Sequence, residues 1–380
     1  MNKKLLAVAI ASAMAAPIGA SAIEASVSGH VNRVILFADD GFDSDVMQAD
    51  SSNSMSRFRI TGSGDLGIGG MKVGVNLEAS WASNRTSRVT IKARNGNGGA
   101  ADLAFAIRHS NLWFSGGWGR LIMGHTSTAY DGITDSSQAG PQFLAGILNG
   151  STMGGNIRYK RTGNVAVNNG LGNAASVGNS YVNFDGGRQD VLRYDTPNFG
   201  PLSARVSVSD NQTWGASAHL NAKFSGANIV IRGGYEDREN DREDIGAAGV
   251  SERWGVSGSV LFSQGTNITV AYSGGDFVNG NGSITNTYDQ GDGNTIYALL
   301  GHRWGANTIA VNYGHHEFDG VAAAGTVDHD TTTWGIGFTH TLSEPRVELF
   351  AGYRNFDLDV QNVTGIEDVD LFQMGARVRF

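Results

Sequence analysis

Between Ile23 and Phe380 the chain alternates apolar and polar residues in stretch after stretch, and no segment carries a convincing helical period. The final stretch reads Asp370-Leu-Phe-Gln-Met-Gly-Ala-Arg-Val-Arg-Phe380. Phe372, Met374, Ala376, Val378 and Phe380 share one face, and Gln373, Gly375, Arg377 and Arg379 share the other. A period of two with one apolar and one polar face is a strand lying between two different surroundings. The pattern predicts sixteen strands, at 24–38, 53–65, 71–83, 103–116, 119–126, 187–196, 201–211, 213–224, 227–237, 251–263, 265–276, 292–304, 305–317, 329–343, 345–357 and 367–380. Val73, Val75, Leu77, Ala79 and Trp81 alternate cleanly with Lys72, Gly74, Asn76, Glu78 and Ser80; around Val347, Leu349 and Ala351 the pattern is blurred by Phe350.

The connections narrow the choice further, because they alternate in length. Short links such as Gly116-Gly-Trp-Gly119, Ser263-Gln-Gly265 and Trp304-Gly305 take turns with long ones at 39–52, 84–102, 127–186, 238–250, 277–291, 318–328 and 358–366. Only the link near Asn211 and Gln212 breaks the rhythm by being short. This asymmetry belongs to an up-and-down transmembrane barrel, with short turns at one end and long loops at the other. A soluble sandwich has no reason to sort its loops by length. Closure leaves no unpaired strand edge in hydrocarbon, and a water-filled lumen explains polar residues along whole strands. Trp81, Trp113, Trp118, Trp254, Trp304 and Trp334 lie near predicted strand ends, where interfacial aromatic girdles form.

Met1 to Ala22 has the three parts of a secretory signal: Lys3 and Lys4, an uncharged apolar run from Leu5 to Pro17, and Ala20-Ser21-Ala22 as a cleavage site. The expected organisation is a cleaved segment at 1–22 and one barrel domain at 23–380. No cysteine is present, so no disulfide framework holds the exported chain. Glycine at 54 and proline at 5 suit strands joined by tight turns. Loss of Lys3 and Lys4 takes the net charge from -8 to -10, which argues against a nucleic-acid partner.

Three segments resemble the Gram-negative general-diffusion porins, in particular the branch with neisserial and other proteobacterial members. Ser56-Arg-Phe-Arg-Ile-Thr-Gly-Ser-Gly-Asp-Leu-Gly67 is similar to that family's second strand and first periplasmic turn. Arg193-Tyr-Asp-Thr-Pro-Asn-Phe-Gly200 is similar to its sixth strand and following turn, and Arg377-Val-Arg-Phe380 resembles the terminal signature, ending in Phe380, read by the outer-membrane insertion machinery. The resemblance implies an all-β, 16-stranded antiparallel barrel in the cell outer membrane. It also implies a homotrimer and a third surface loop folded inward, here the unusually long stretch from Thr126 to Gly187. Asn156-Ile-Arg-Tyr-Lys-Arg161 within that stretch is expected to add a hairpin strand.

What such a protein needs is a charged narrowing, not a reactive group. By the resemblance, Arg57 and Arg59 on the second strand belong to a basic wall, and His30 and Asn111 stand where the family has a lysine and an arginine. His109, His125, Arg188 and Arg193 are further wall candidates, and Asp131 and Asp135 are the loop acids. Arg377 and Arg379 face the lumen near the periplasmic mouth. Two residues conflict with their strands' alternation. Arg188 points outward unless the chain has left the strand, and Arg33 falls on the lipid side with Val31, Ile35 and Phe37. There an arginine costs roughly 2–4 kcal/mol, unless a bulge flips the register or a partner covers it.

The expected function is passive diffusion of small hydrophilic solutes and ions, with outer-membrane lipid and lipopolysaccharide as surroundings. The acidic stretch Glu236–Asp244 suggests loosely held divalent cations and a mild cation preference. A substrate-selective channel for phosphate, sugars or organic acids is the alternative on the same fold; an exported β-sandwich adhesin and an outer-membrane phospholipase are less favoured. Gly62-Ser-Gly-Asp-Leu-Gly67 spells a dinucleotide fingerprint, but a strand follows it where the chemistry needs a helix. His315 and His316 point to opposite strand faces, so no metal site is expected, nor any other cofactor. Neither a G-x-S-x-G elbow nor an H-E-x-x-H motif occurs, so no enzyme is expected.

Overall fold

The computed structural model describes residues 23–92, 104–139, 152–167, 175–209, 213–238, 249–278, 290–322, 325–342 and 346–380. The proposed signal segment at 1–22 lies outside them, as does most of the acidic stretch after Glu236. Sixteen antiparallel strands close into one barrel. They are β1 (Glu24–Asp39), β2 in two pieces (Ser44–Asp50 and Arg57–Asp65), β3 (Lys72–Ala82), β4 (Ala104–Gly116), β5 (Gly119–Ser127), β6 (Arg188–Asp195), β7 (Leu202–Ser209), β8 (Trp214–Phe224), β9 (Ala227–Asp237), β10 (Gly249–Leu261), β11 (Thr266–Val278), β12 (Gln290–Trp304), β13 (Asn307–Ala322), β14 (Gly325–Leu342), β15 (Val347–Val360) and β16 (Val369–Arg379). Closure comes from β1 against β16, unbroken from His30 opposite Arg379 to Asp39 opposite Asp370.

The second strand differs from expectation. Both of its pieces pair with β1, the upper at 33–39 and the lower at 24–30. The link expected at 39–52 is therefore a tight turn followed by strand. Val46 faces lipid and Met47 is buried inside, so this piece has apolar residues on both faces and lacks the alternation that marks the others. Beyond the membrane the hairpins also run on. Residues 318–322 and 325–328 stay paired, although their Asp and Gly content reads as loop.

Outward side chains form an apolar band, from Ile35 and Leu192 to Val270, Ile296 and Ile336. Paired rings bound it on the loop side: Trp214 with Tyr235 at 5.5 Å, and Trp254 with Tyr272 and Trp334 with Tyr353, each at 5.1 Å. Trp118 stacks on Tyr194 at the turn side, where Trp304 lies near Phe338. Trp113 is the exception among the expected girdle residues, because it points into the lumen. Above the loop-side rings, Asp237, Glu252, Asp276, Asp292, Asp319 and Asp328 stand directly opposite one another on six successive strands. Like charges facing across a ladder repel, and none tolerates hydrocarbon, so this row marks where the wall has left the bilayer core.

The upper lumen is not simply wet. Leu36, Met47, Phe356, Leu358 and Leu371 on the inner wall pack around Met153, Ile157, Tyr159, Val177 and Tyr181 of the long third loop. That core explains Phe350, which is buried inward and breaks the polar side of β15. Within the loop, Lys160–Arg161 pairs with Val165–Ala166, a two-residue version of the expected hairpin.

Candidate pore constriction

The described limbs of the third loop run along the inner wall, fastened by hydroxyl side chains. Ser207 Oγ accepts from Ala129 N at 2.8 Å, and Ser217 Oγ donates to Ala129 O at 2.6 Å. Ser257 donates to Ile133 O, and Ser273 to Asn183 O, at 2.5 Å and 2.7 Å. Asn267 Oδ1 holds Gln138 N and Ala139 N at 3.2 Å and 3.1 Å. Glycines leave room: a Cβ on Gly314 would overlap the Tyr181 hydroxyl, and one on Gly301 would overlap the Ala139 carbonyl. The two limbs are clipped by Asp185, whose Oδ1 accepts from Gly132 N at 3.0 Å, Ile133 N at 3.1 Å and Gly186 N at 2.8 Å. Burial, aided by the nearby Asp131, pushes the Asp185 carboxyl up to about 7, against the pull of the Gly186 N–H.

Opposite this track lies a basic wall. Arg57 and Arg59 face inward on β2, paired with Ser80 and Glu78 of β3. Glu78 is fully buried and collects three arginines: Arg59 Nε at 2.6 Å, Arg108 Nε at 2.6 Å and Arg57 Nη1 at 3.3 Å. Arg108 gets there through a β-bulge, since the β3–β4 register slips between Glu78 opposite His109 and Ala79 opposite Ile107. Both Arg108 and His109 thus face the lumen. Sequence reasoning missed Arg108, but the signal was present: Phe105 and Ile107 are outward on odd numbers, Leu112 on an even one. Glu78 and the wall residues Arg205 and Arg232 were also missed, because nothing in an alternating strand separates them from other inward polar residues.

The remaining candidates divide. Arg188 joins the basic wall despite its parity, with Nε 3.4 Å from His109 Nε2 at the end of the β5–β6 ladder. Arg193 grips both oxygens of Asp195, at 2.9 Å and 3.0 Å. His30 is inward and bonds Ser54 O at 3.3 Å, in the segment that interrupts β2. Asn111 is inward and donates to His125 O at 3.4 Å. His125 itself is not on the lumen side, contrary to expectation. It lies opposite Ser110 and Asp190, on the face of Leu112 and Leu192, because Asn111 and Thr126 take the inward positions. Asp131 is within electrostatic reach of Arg188 and Arg205, whereas Asp135 offers its carbonyl to Arg232 on β9.

Arg377 and Arg379 both reach Glu348, and Arg377 also donates to Ser54 Oγ at 2.9 Å. Phe380 exchanges both backbone bonds with Gly29 at 3.0 Å and leaves its ring exposed. Arg33 needs neither a bulge nor another subunit to find a partner. It stays outward, and its Nη1 donates to Asp50 Oδ2 at 2.6 Å and Ser83 Oγ at 2.9 Å, where β2 leaves the wall.

A closed barrel with a lipid-facing apolar band, a charged lumen and a loop fastened inside it is a transmembrane channel. Residues 5–361 match the Gram-negative porin family, and the chain belongs to that family. It is an outer-membrane pore for passive diffusion of small hydrophilic solutes. Among solved structures, the anion-selective porin from Comamonas acidovorans is similar, with a TM-score of 0.58 and 16% identity over 94% of this chain and 100% of that one. In vitro folded OmpT of Vibrio cholerae, in its trimer form, gives 0.57 and 13% over 94% and 100%. The outer-membrane channel DcaP of Acinetobacter baumannii gives 0.57 and 12% over 94% and 97%. At these identities the likeness is one of fold. No curated protein matches the chain.

Proposed function

We propose that this porin is a homotrimeric, anion-preferring channel without catalytic activity, whose selectivity is set where the third loop faces Arg57, Arg59, Arg108 and Arg188. The observation that carries the reading is Glu78, one buried carboxylate shared by three guanidinium groups. The cluster keeps a positive surplus on the water-filled side, where Arg59 is 44% exposed. A charged lining of one sign raises the local concentration of ions of the other sign. The fold likeness to an anion-selective porin supports the same reading. It reverses the cation preference expected from the 236–244 stretch, whose first residue, Glu236, is buried and already paired with Arg253.

Trimer formation is supported by the outward Arg33–Asp50 pair, a charged site on the outer face, and by the trimer form of a structure with the same fold. Lipopolysaccharide is the proposed surrounding of the acidic outer row, with loosely held divalent cations between them. Reversal potentials in a potassium chloride gradient across a planar bilayer test the selectivity: the expected sign is that of chloride flux. A potassium-selective sign overturns it. Migration of unheated protein at three times the monomer mass tests the assembly.

A further inference from the structure

We infer that the periplasmic end of the lumen holds a binding subsite for a small hydroxylated monocarboxylate, of the sugar-acid class. The inference rests on the channel reading and adds a solute to it. A concavity of about 450 Å³ opens there, lined by Glu24, Ser26, Thr61, Asn76, Trp113 and Arg120. That volume lies in the range that encloses small molecules.

Its centre is a stack. Trp113 faces inward and lies against Gly74, where a Cβ would overlap the indole. The Arg120 guanidinium sits over the ring, 4.3 Å from its centroid. Such a cation–π contact holds the guanidinium plane in place without neutralising it. Arg120 Nε is buried and bonds no oxygen, which leaves the two terminal nitrogens to meet a ligand. The nearest acid in register is Asp195, but Arg193 already takes both of its oxygens. Asp195 attracts Arg120 across the strand pair, but among the described residues no carboxylate lies in direct ion-pair contact with it. A planar, charged, positioned guanidinium is built for the two oxygens of a carboxylate.

The rest of the concavity selects within that class. Ser26 Oγ and Thr61 Oγ1 bond each other at 2.9 Å and, with Asn76, offer donors and acceptors for hydroxyl groups. Glu24 can accept from a hydroxyl but repels a second negative charge, which disfavours dicarboxylates and phosphates. Arg120 already occupies a face of the indole, which leaves less of the ring for a neutral sugar to stack on. Charge and hydroxyl pattern, not aromatic stacking, then decide the solute.

The test is single-channel recording of the full-length protein with sodium gluconate added on the periplasmic side, and with glucose and acetate as controls. Gluconate is expected to reduce the current in a saturable way, while the controls at equal concentration do not. Arg120→Gln should raise the half-saturating concentration at least tenfold, Trp113→Leu at least threefold, and Arg120→Lys should fall between wild type and Arg120→Gln. Equal effects of gluconate and glucose, or unchanged gluconate block in open Arg120→Gln channels, overturn the subsite. A protein that forms no channel at all would instead overturn the channel reading.

Discussion

Glu78 Oε2 lies 2.6 Å from Arg59 Nε, and Oε1 of the same carboxylate lies 2.6 Å from Arg108 Nε. One acid therefore fixes two guanidinium groups that strict alternation would not bring together. Glu78→Gln should leave the arginines mutually repelling, since breaking a buried pair from one side costs about 3–5 kcal/mol. The expected result is a lower unfolding temperature on heat-modifiability gels, together with stronger anion preference. An unchanged reversal potential would remove Glu78 from the selectivity argument.

Arg59 tests the electrostatics with less risk to folding, because its side chain reaches into the lumen water. Arg59→Gln should move the reversal potential toward the cation side, and because Glu78 keeps Arg108 and Arg57 its loss of stability should be smaller than that of Glu78→Gln. Far-ultraviolet circular dichroism and thermal melting serve as the control.

The loop core can be separated from the lipid face using neighbours on one strand. Leu36 is fully buried under the loop, whereas Ile35 is exposed to lipid. Leu36→Ala should cost about 2–5 kcal/mol and expose the third loop to external protease. Ile35→Ala should do much less. If both variants are equally protease-resistant, the loop is not held by that core.

The Asp185 clip predicts a pH effect of definite sign. A free carboxyl titrates near 4, but the docked one does so at about 7, chiefly because it is buried. Between those values the docked loop holds a proton that the detached loop has released, so docking weakens as pH rises through that window. Open-channel closures should be rarer at pH 5 than at pH 8, and Asp185→Asn should flatten the difference. More frequent closures at pH 5 in wild type, with Asn insensitive, would reverse the assignment.

Much of the wall was legible because lipid and water impose opposite demands on alternate residues. Legibility failed where that contrast failed. The upper half of β2 has Val46 outside and Met47 inside, so both faces are apolar and no alternation marks the strand. Phe350 blurred β15 for the same reason. Arg108 was missed because the bulge at Ile107–His109 shifts the parity of β4, whereas His125 keeps the alternation of its own strand, on the outward face of Met123. The loop path was invisible, since the Ser, Thr and Gly residues that seat it differ in no local way from other lumen residues.

The apolar bed under Met153, Ile157, Tyr159, Val177 and Tyr181 is assembled from β1 and β2 at one end of the chain and β15 and β16 at the other. The limb that carries Asp131 and Asp135 is instead tied to middle strands, through Ser207, Ser217, Ser257 and Asn267. A nascent chain that has threaded those strands can thus moor one limb of the loop, while the other finds its bed only once head and tail have met. Shutting the seam therefore completes the anchorage of the segment that narrows the pore.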